Sequence, residues 1–431
     1  MYNLHSERFR RLFKEAFWIV LGQVMAVVGS LVGVKLITGL LNPNEYGDLA
    51  LGMTFAMLIN QLVLGPLSNG ITRFYAPAFE QSDLHGYLKA VRRLLFIATG
   101  IIVVMLAFAV FALIVVKRTD WILIATASFV FAIFSGYNSI LSGVQNAARQ
   151  RSLVALFQGL DPWTRFLIAA VLLLCLGASS FVAMVGYVFA SVLIFVSQYL
   201  FFHKSFISKI NIEIKDNKWQ EKIWKFSWPF ATYGILTWTQ LSSDRWALKL
   251  YTSSREVGLY AALYQLGYYP MSLATGMIGQ FLSPIFYQRA GDATDSQRSS
   301  SVKKLIWKFT SSSLLLTGFA FLIALLFHSQ IFYILVATKY GVISYLLPWM
   351  LFSGGVFAAG QILTSNLMIN LRTKSIIIVK MATALSGIIF NFVGAYWLGI
   401  NGIVIASVLF SVIYFIWIVI LFYMDGQKVR T

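Results

Sequence analysis

The sequence holds one cysteine, Cys175, and four histidines, His5, His85, His203 and His328, among 431 residues. A lone thiol excludes an internal disulfide, and histidines this far apart offer no metal-ligand spacing. No segment matches a P-loop or a nucleophile elbow. Charge is scarce as well: 12% of residues are Asp, Glu, Lys or Arg, against 58% that are hydrophobic. A soluble chain has no means of hiding so much apolar surface. Too little is left to build an enzyme's active site, and nothing calls for a cofactor.

What the sequence does have is apolar runs from end to end, each long enough to cross a bilayer core of roughly 30 Å. The first follows the basic segment RFRRLFKEA and lacks a small-residue cleavage site, so it reads as a retained helix. Spans are expected at 17–41, 47–72, 94–116, 121–141, 153–175, 180–202, 227–250, 257–286, 305–327, 342–369, 376–398 and 401–423. With a cytoplasmic N-terminus, 25 of the 34 Lys and Arg fall on the cytoplasmic side, five outside and four within spans. That asymmetry obeys the positive-inside rule and sets the orientation, with both termini cytoplasmic. The net charge of +18 is therefore topogenic and lipid-facing, not a nucleic-acid footprint.

The outer loops, such as NPNEYGD, KRTD, LGAS and LGIN, are short. The longest hydrophilic segment, residues 204–226, is a basic cytoplasmic linker near mid-chain. It separates an N-terminal lobe, 1–203, from a C-terminal lobe, 227–431. NEYGDLA (44–50) after the first span matches REVGLYA (255–261) after the seventh, 211 residues later, at Glu45/Glu256, Gly47/Gly258 and Ala50/Ala261. RFYAPAF (73–79) and FLSPIFY (281–287) each place a proline at the cytoplasmic end of the next span. Six spans per half is an even number, so the repeat is parallel. The expected fold is all-α and polytopic, with twelve helices in two six-helix lobes about a pseudo-two-fold axis along the membrane normal. Secondary transporters recur in this form, with the substrate site at the repeat interface.

Ionisable residues inside the spans are Lys35, Asp161, Arg165, Asp244, Arg245 and Lys380, a net surplus of two cations. A charge at a helix centre adds about 2.5–3.5 kcal/mol to insertion, so each needs a partner, water or a ligand. Asp161 and Arg165, four apart, share a helix face; they read equally as a packing pair around Pro162 or as a substrate contact. Asp244 and Arg245, about 100° apart around the helix, are not expected to satisfy each other fully. Lys35 lies at nearly the depth of Arg245 in the other half, which makes it a candidate partner for Asp244. Lys380 is explained by snorkelling. Arg73 reads as a topogenic arginine or as a cavity-mouth residue. A buried cationic surplus favours an anionic visitor, and arginine suits phosphate. In-span amides, among them Asn138, Gln158 and Gln240, would wet a cavity fit for sugar hydroxyls or serve as helix-packing contacts. Pro66, Pro162, Pro270 and Pro348 are expected to break or bend their spans.

NPNEYGDLALG, SNGITRFYAPAF and SSDRWALKLY followed by VGLYAALYQL, set in twelve spans, resemble the Wzx-like polysaccharide flippases of the multidrug/oligosaccharidyl-lipid/polysaccharide exporter superfamily. The resemblance runs over essentially the whole chain. It implies a bacterial inner-membrane flippase moving a polyprenyl-diphosphate-linked oligosaccharide outward by alternating access, for surface polysaccharide such as the O-antigen of lipopolysaccharide. It also implies association with other polysaccharide-assembly membrane proteins. A cationic cavity for diphosphate and glycan would then fall to Lys35, Arg165 and Arg245, with Asp161 and Asp244 holding them or coupling an ion. Arg73, in ITRFYAP, gains weight as a cavity-mouth residue.

Two rivals stand beside this reading. A multidrug cation antiporter of the same fold favours a buried carboxylate in the first span, where Lys35 stands instead. A membrane glycosyltransferase or polymerase would need a sizeable outer loop or a carboxylate cluster, and the outer loops are short.

Overall fold

The computed structural model describes residues 2–206, 218–273, 296–369 and 373–427, and the regular elements among them are all helical. We number the α-helices in chain order: α1 (Tyr2–Leu40), α2 (Pro43–Ile59), α3 (Gly65–Glu80), α4 (Leu84–Val115), α5 (Ile122–Ala147) and α6 (Arg151–Leu176). There follow α7 (Ser180–Phe206), α8 (Trp219–Tyr251), α9 (Ser254–Leu266), α10 (Ser296–Leu335), α11 (Leu347–Ile369) and α12 (Thr373–Gln427). Among the described residues nine segments are long and apolar enough to cross a membrane. One of them, Ile377–Met424, has 48 residues and folds back at Gly399, which makes it two crossings. The polar α8 and the short α9 fall where the seventh and eighth spans are expected. The fold is that of an all-α, polytopic membrane protein. FLSPIFY and the core of the linker lie outside the described residues.

The prolines divide by position. A π-helical turn, Asn60–Leu64, joins α2 to α3 in one continuous helical segment, Pro43–Glu80, and Pro66 stands just after that turn. Pro348 likewise stands in the first turn of α11, after the 3₁₀ segment Thr338–Leu346. Both stand where one helical form passes into another, whereas Pro162 lies inside α6.

By contacts the chain forms two compact units: Met1–Leu41 with Asp48–Thr239, and Asn42–Gly47 with Gln240–Thr431. In the first, α1 packs along α6, and the Trp163 indole of α6 donates to the Met25 carbonyl at 3.0 Å. The first part of α8 belongs to this unit and runs antiparallel to α2 and α3. Trp238 Nε1 donates to the Thr54 carbonyl at 2.7 Å, and Trp219 Nε1 donates to Asp83 Oδ2 at 2.7 Å. A buried indole N–H needs such an acceptor. Asp83, fully buried, also caps α4 by accepting from the Gly86 N–H at 3.1 Å. Residues 219–226, expected in the linker, are thus the first turns of a helix whose Trp219 is buried.

In the second unit α10, α11 and α12 pack around Ile306, Ile362, Leu363, Leu367, Tyr414 and Ile418. Here the reverse turn of α12 depends on Gly399, with φ +55° and ψ −130°. The turn frees the Ile400 N–H, which donates to Glu256 Oε2 at 3.1 Å. In the first unit Gly177 has φ +102° and ends α6. The loops LGAS and LGIN therefore both turn on a glycine that an L side chain would strain. Gly47 and Gly258, the matched repeat glycines, meet each other inside the second unit. A Cβ on Gly47 would collide with the Ser254 carbonyl, and one on Gly258 with the Pro43 carbonyl. Each glycine thus receives the carbonyl four residues before the other, a reciprocal contact of the isologous kind.

Candidate functional site

In the second unit the second part of α8 carries Gln240, Asp244 and Arg245. Asp244 is 6% exposed and fully engaged. Its Oδ2 accepts from the Tyr260 hydroxyl at 2.7 Å, and its Oδ1 accepts from the Arg245 backbone N–H at 2.7 Å. Arg245 Nη1 reaches back to the Leu241 carbonyl at 3.0 Å and lies 3.6 Å from Asp244 Oδ1. The guanidinium stands 4.8 Å from the centre of the Tyr264 ring, a cation–π contact. At 3.6 Å the adjacent pair attracts without a side-chain hydrogen bond between the two, so each group has further partners, as the angular separation implies, and Asp244 meets Tyr260 where Lys35 was the candidate. A long arginine side chain folds back along its own helix, and Tyr260 supplies the interhelical bond.

Tyr260, Tyr264 and Tyr268 recur at every fourth residue, with centroids 6.1 Å and 5.1 Å apart. The first two belong to α9 and Tyr268 follows it. Their spacing is legible in VGLYAALYQLGY, although tyrosines in a membrane chain read first as interface residues. Gln240, Asp244, the three tyrosines and Asn391 line a cavity of about 60 Å³. Asn391 Nδ2 donates to Ser243 Oγ at 2.8 Å, tying α12 to α8.

The first unit holds a larger cavity, about 520 Å³, among α3, α5, α6 and α7. Asp161 and Arg165 form a close ion pair in its wall, each about a quarter exposed. The Arg165 guanidinium also lies 5.6 Å from the Phe131 ring centre. Asn138 and Gln158 line the same cavity. Lys35, half-buried on α1, and Arg73, exposed on α3, are not among its lining residues. The sequence-nominated groups thus gather as two clusters, one in each unit, with Lys35 and Arg73 apart. Among the described residues there is no group of three metal-ligating side chains.

These helices and charged clusters define a multi-pass membrane protein with a transporter fold. The chain is similar to the inward-facing conformation of a multidrug resistance MATE family transporter of the MOP superfamily, with TM-score 0.66 and 14% identity over 94% of this chain and 95% of that one. It is also similar to the lipid II flippase MurJ in an inward closed conformation, with TM-score 0.63 and 15% identity over 95% and 87% of the two chains. The Vibrio cholerae MATE transporter VcmN in the bent form aligns with TM-score 0.58 and 12% identity over 99% and 98%. The polysaccharide biosynthesis protein family matches residues 12–289, and the chain belongs to that family. No curated protein matches the sequence.

Proposed function

We infer that the protein is a flippase that carries a polyprenyl-diphosphate-linked oligosaccharide from the inner to the outer leaflet of a bacterial cytoplasmic membrane. One observation carries the reading. A member of a polysaccharide-biosynthesis family keeps a cavity of about 520 Å³, walled by an ion pair and by amides, among helices built to cross a membrane. Ionisable groups inside membrane helices are costly and mark a route for polar cargo. Lys35, Arg165 and Arg245 are the proposed contacts for diphosphate and glycan, with Arg73 at the cavity mouth and Gln240 beside Asp244. Asp161 and Asp244 hold the arginines or take part in ion coupling. The lobes 1–203 and 227–431 alternate access around them, in company with other polysaccharide-assembly membrane proteins.

A second reading, export of organic cations, draws on Asp244 amid Tyr260, Tyr264 and Tyr268, an acidic and aromatic setting that suits a cation. Arg245 already occupies the face of Tyr264, which weighs against it. Mass spectrometry of lipid-linked sugars in cells lacking the protein, with the leaflet assayed, separates the readings. A diphosphate-linked oligosaccharide trapped in the inner leaflet is the expected result. The same species in the outer leaflet points to a polymerase or ligase. No accumulation, with new sensitivity to cationic drugs, points to the antiporter.

A further inference from the structure

The first turns of α8 have an inner and an outer face. Trp219, Ile223 and Ser227 are buried, and their spacing of four makes one stripe of a helix. The stripe packs on α3, where a Cβ at Gly70 would collide with Ser227 Oγ and crowd the Ile223 carbonyl. Lys218, Glu221, Lys222, Trp224, Lys225 and Phe226 are exposed instead. Trp224 leaves half of its surface uncovered, at 50% exposure. Aromatic rings interleaved with lysines on an outward helix face suit a membrane–water interface, where the rings sit at headgroup level and the ammonium groups meet phosphate.

Between this face and α4 lies a groove of about 500 Å³, lined by Leu94, Ile97, Lys218, Gln220, Glu221 and Trp224. Its two walls start at one level, because Trp219 Nε1 donates to Asp83 Oδ2 at the head of α4. From there both helices change character in the same sense. On α8, Lys218 precedes Trp224 by six residues, a rise of about 9 Å. On α4, the exposed Lys89, Arg92 and Arg93 precede Ile97, and Arg93 stands one turn before it on the same face. The groove is thus basic at its mouth and apolar beyond.

Charge at the mouth is one-sided. Lys89, Arg92, Arg93, Lys218, Lys222 and Lys225 stand against a single carboxylate, Glu221, in the segments 84–97 and 218–226. Glu221 is engaged by Lys225 at 2.6 Å, and Lys222 Nζ lies 4.6 Å from the centre of the Trp219 ring. Lys218 is the cation in the groove wall itself. A basic mouth before an apolar slot is complementary to an anion that carries a hydrocarbon chain. A neutral lipid would leave the charge unanswered, and a free anion would leave the apolar wall uncovered.

We propose that the groove between α4 and α8 binds one molecule of an anionic glycerophospholipid, with its phosphate at Lys218 and Arg93 and an acyl chain along Leu94, Ile97 and Trp224. The occupant is a resident lipid of the membrane, separate from any transported cargo, and the site does not depend on the flippase reading. A lipid seated there touches both helices and so holds the first turns of α8 against α4.

The test titrates the full chain in detergent with dioleoylphosphatidylglycerol or dioleoylphosphatidylcholine, which share their chains and differ in charge. Native mass spectrometry counts the bound lipid. The wild type should bind one phosphatidylglycerol at least about fivefold more tightly than phosphatidylcholine, the factor that one basic residue supplies at an anionic surface. Lys218→Gln should weaken phosphatidylglycerol by about fivefold and leave phosphatidylcholine unchanged. Ile97→Trp, which fills the groove, should weaken both lipids. An unfolding temperature equal to the wild type's in lipid-free detergent shows that a variant is folded, and Lys218→Gln, an exposed change, decides the matter if Ile97→Trp does not fold. Equal binding of the two lipids by the wild type overturns the proposal, and so does an unchanged preference in Lys218→Gln. Displacement of phosphatidylglycerol by millimolar inorganic phosphate also overturns it, since the site would then hold a headgroup without its chain. A wild type that retains neither lipid does the same, as it would with the groove filled by protein.

Discussion

At the residue scale, the pairing of Asp244 with Arg245 is a matter of reach. The sequence exposes two opposite charges in a span, and angular separation implies that they cannot satisfy each other fully. Arg245 spans the gap because its side chain is long enough to run back to the Leu241 carbonyl. Tyr260 then completes the carboxylate. That tyrosine was not legible as a partner, because tyrosines in a membrane chain read first as interface residues. Tyr260→Phe removes one bond to a buried charge and should lower stability by about 1.5–3 kcal/mol, read as a lower unfolding temperature in detergent. Arg245→Ala should abolish transport of the lipid-linked species while leaving membrane insertion intact, as followed by leaflet assay and by membrane fractionation. Arg245→Lys should restore little, since an ammonium lacks the planar fork that lies on Tyr264. Full transport by the alanine protein would remove Arg245 from the site.

At the element scale, most helices were legible because a membrane demands about 20 apolar residues per crossing. The break in α12 was legible too, from LGIN between two apolar runs. Its mechanism was not, because a backbone angle leaves no periodic trace. The helix α8 was the hardest element. Its first turns are rich in lysine and read as linker, yet Trp219 anchors them to Asp83. The two turn glycines give a graded prediction. Gly177→Ala and Gly399→Ala should each cost about 1–3 kcal/mol in backbone strain. A methyl at Gly399 would also stand 2.8 Å from Glu256 Oε2, the acceptor that caps Ile400, whereas Gly177 has open space. The Gly399 variant should therefore melt lower in detergent than the Gly177 variant, and the reverse order would deny Glu256 its capping role.

At the scale of the whole molecule, the sequence offers three matched residues at an offset of 211, Glu45/Glu256, Gly47/Gly258 and Ala50/Ala261. What the sequence could not convey is that two of the matched residues touch. Gly47 and Gly258 lie far apart in the chain, yet each admits the other segment's carbonyl. The helices α2 and α8 each begin in one compact unit and end in the other, so the Asn42–Gly47 segment is joined to the second unit at this contact. A reciprocal contact makes a prediction that two independent clashes do not. Gly47→Ala or Gly258→Ala alone should force the two backbones apart and cost about 1–3 kcal/mol, as overpacking does. Once they are apart, the second methyl meets a gap already opened. The double variant should therefore cost less than the sum of the single ones, by the roughly 0.5–3 kcal/mol typical of coupled neighbours. Unfolding of all four proteins in the same detergent measures that difference. Additive losses would mean that each glycine answers to its own surroundings and that the repeat contact is not a shared one.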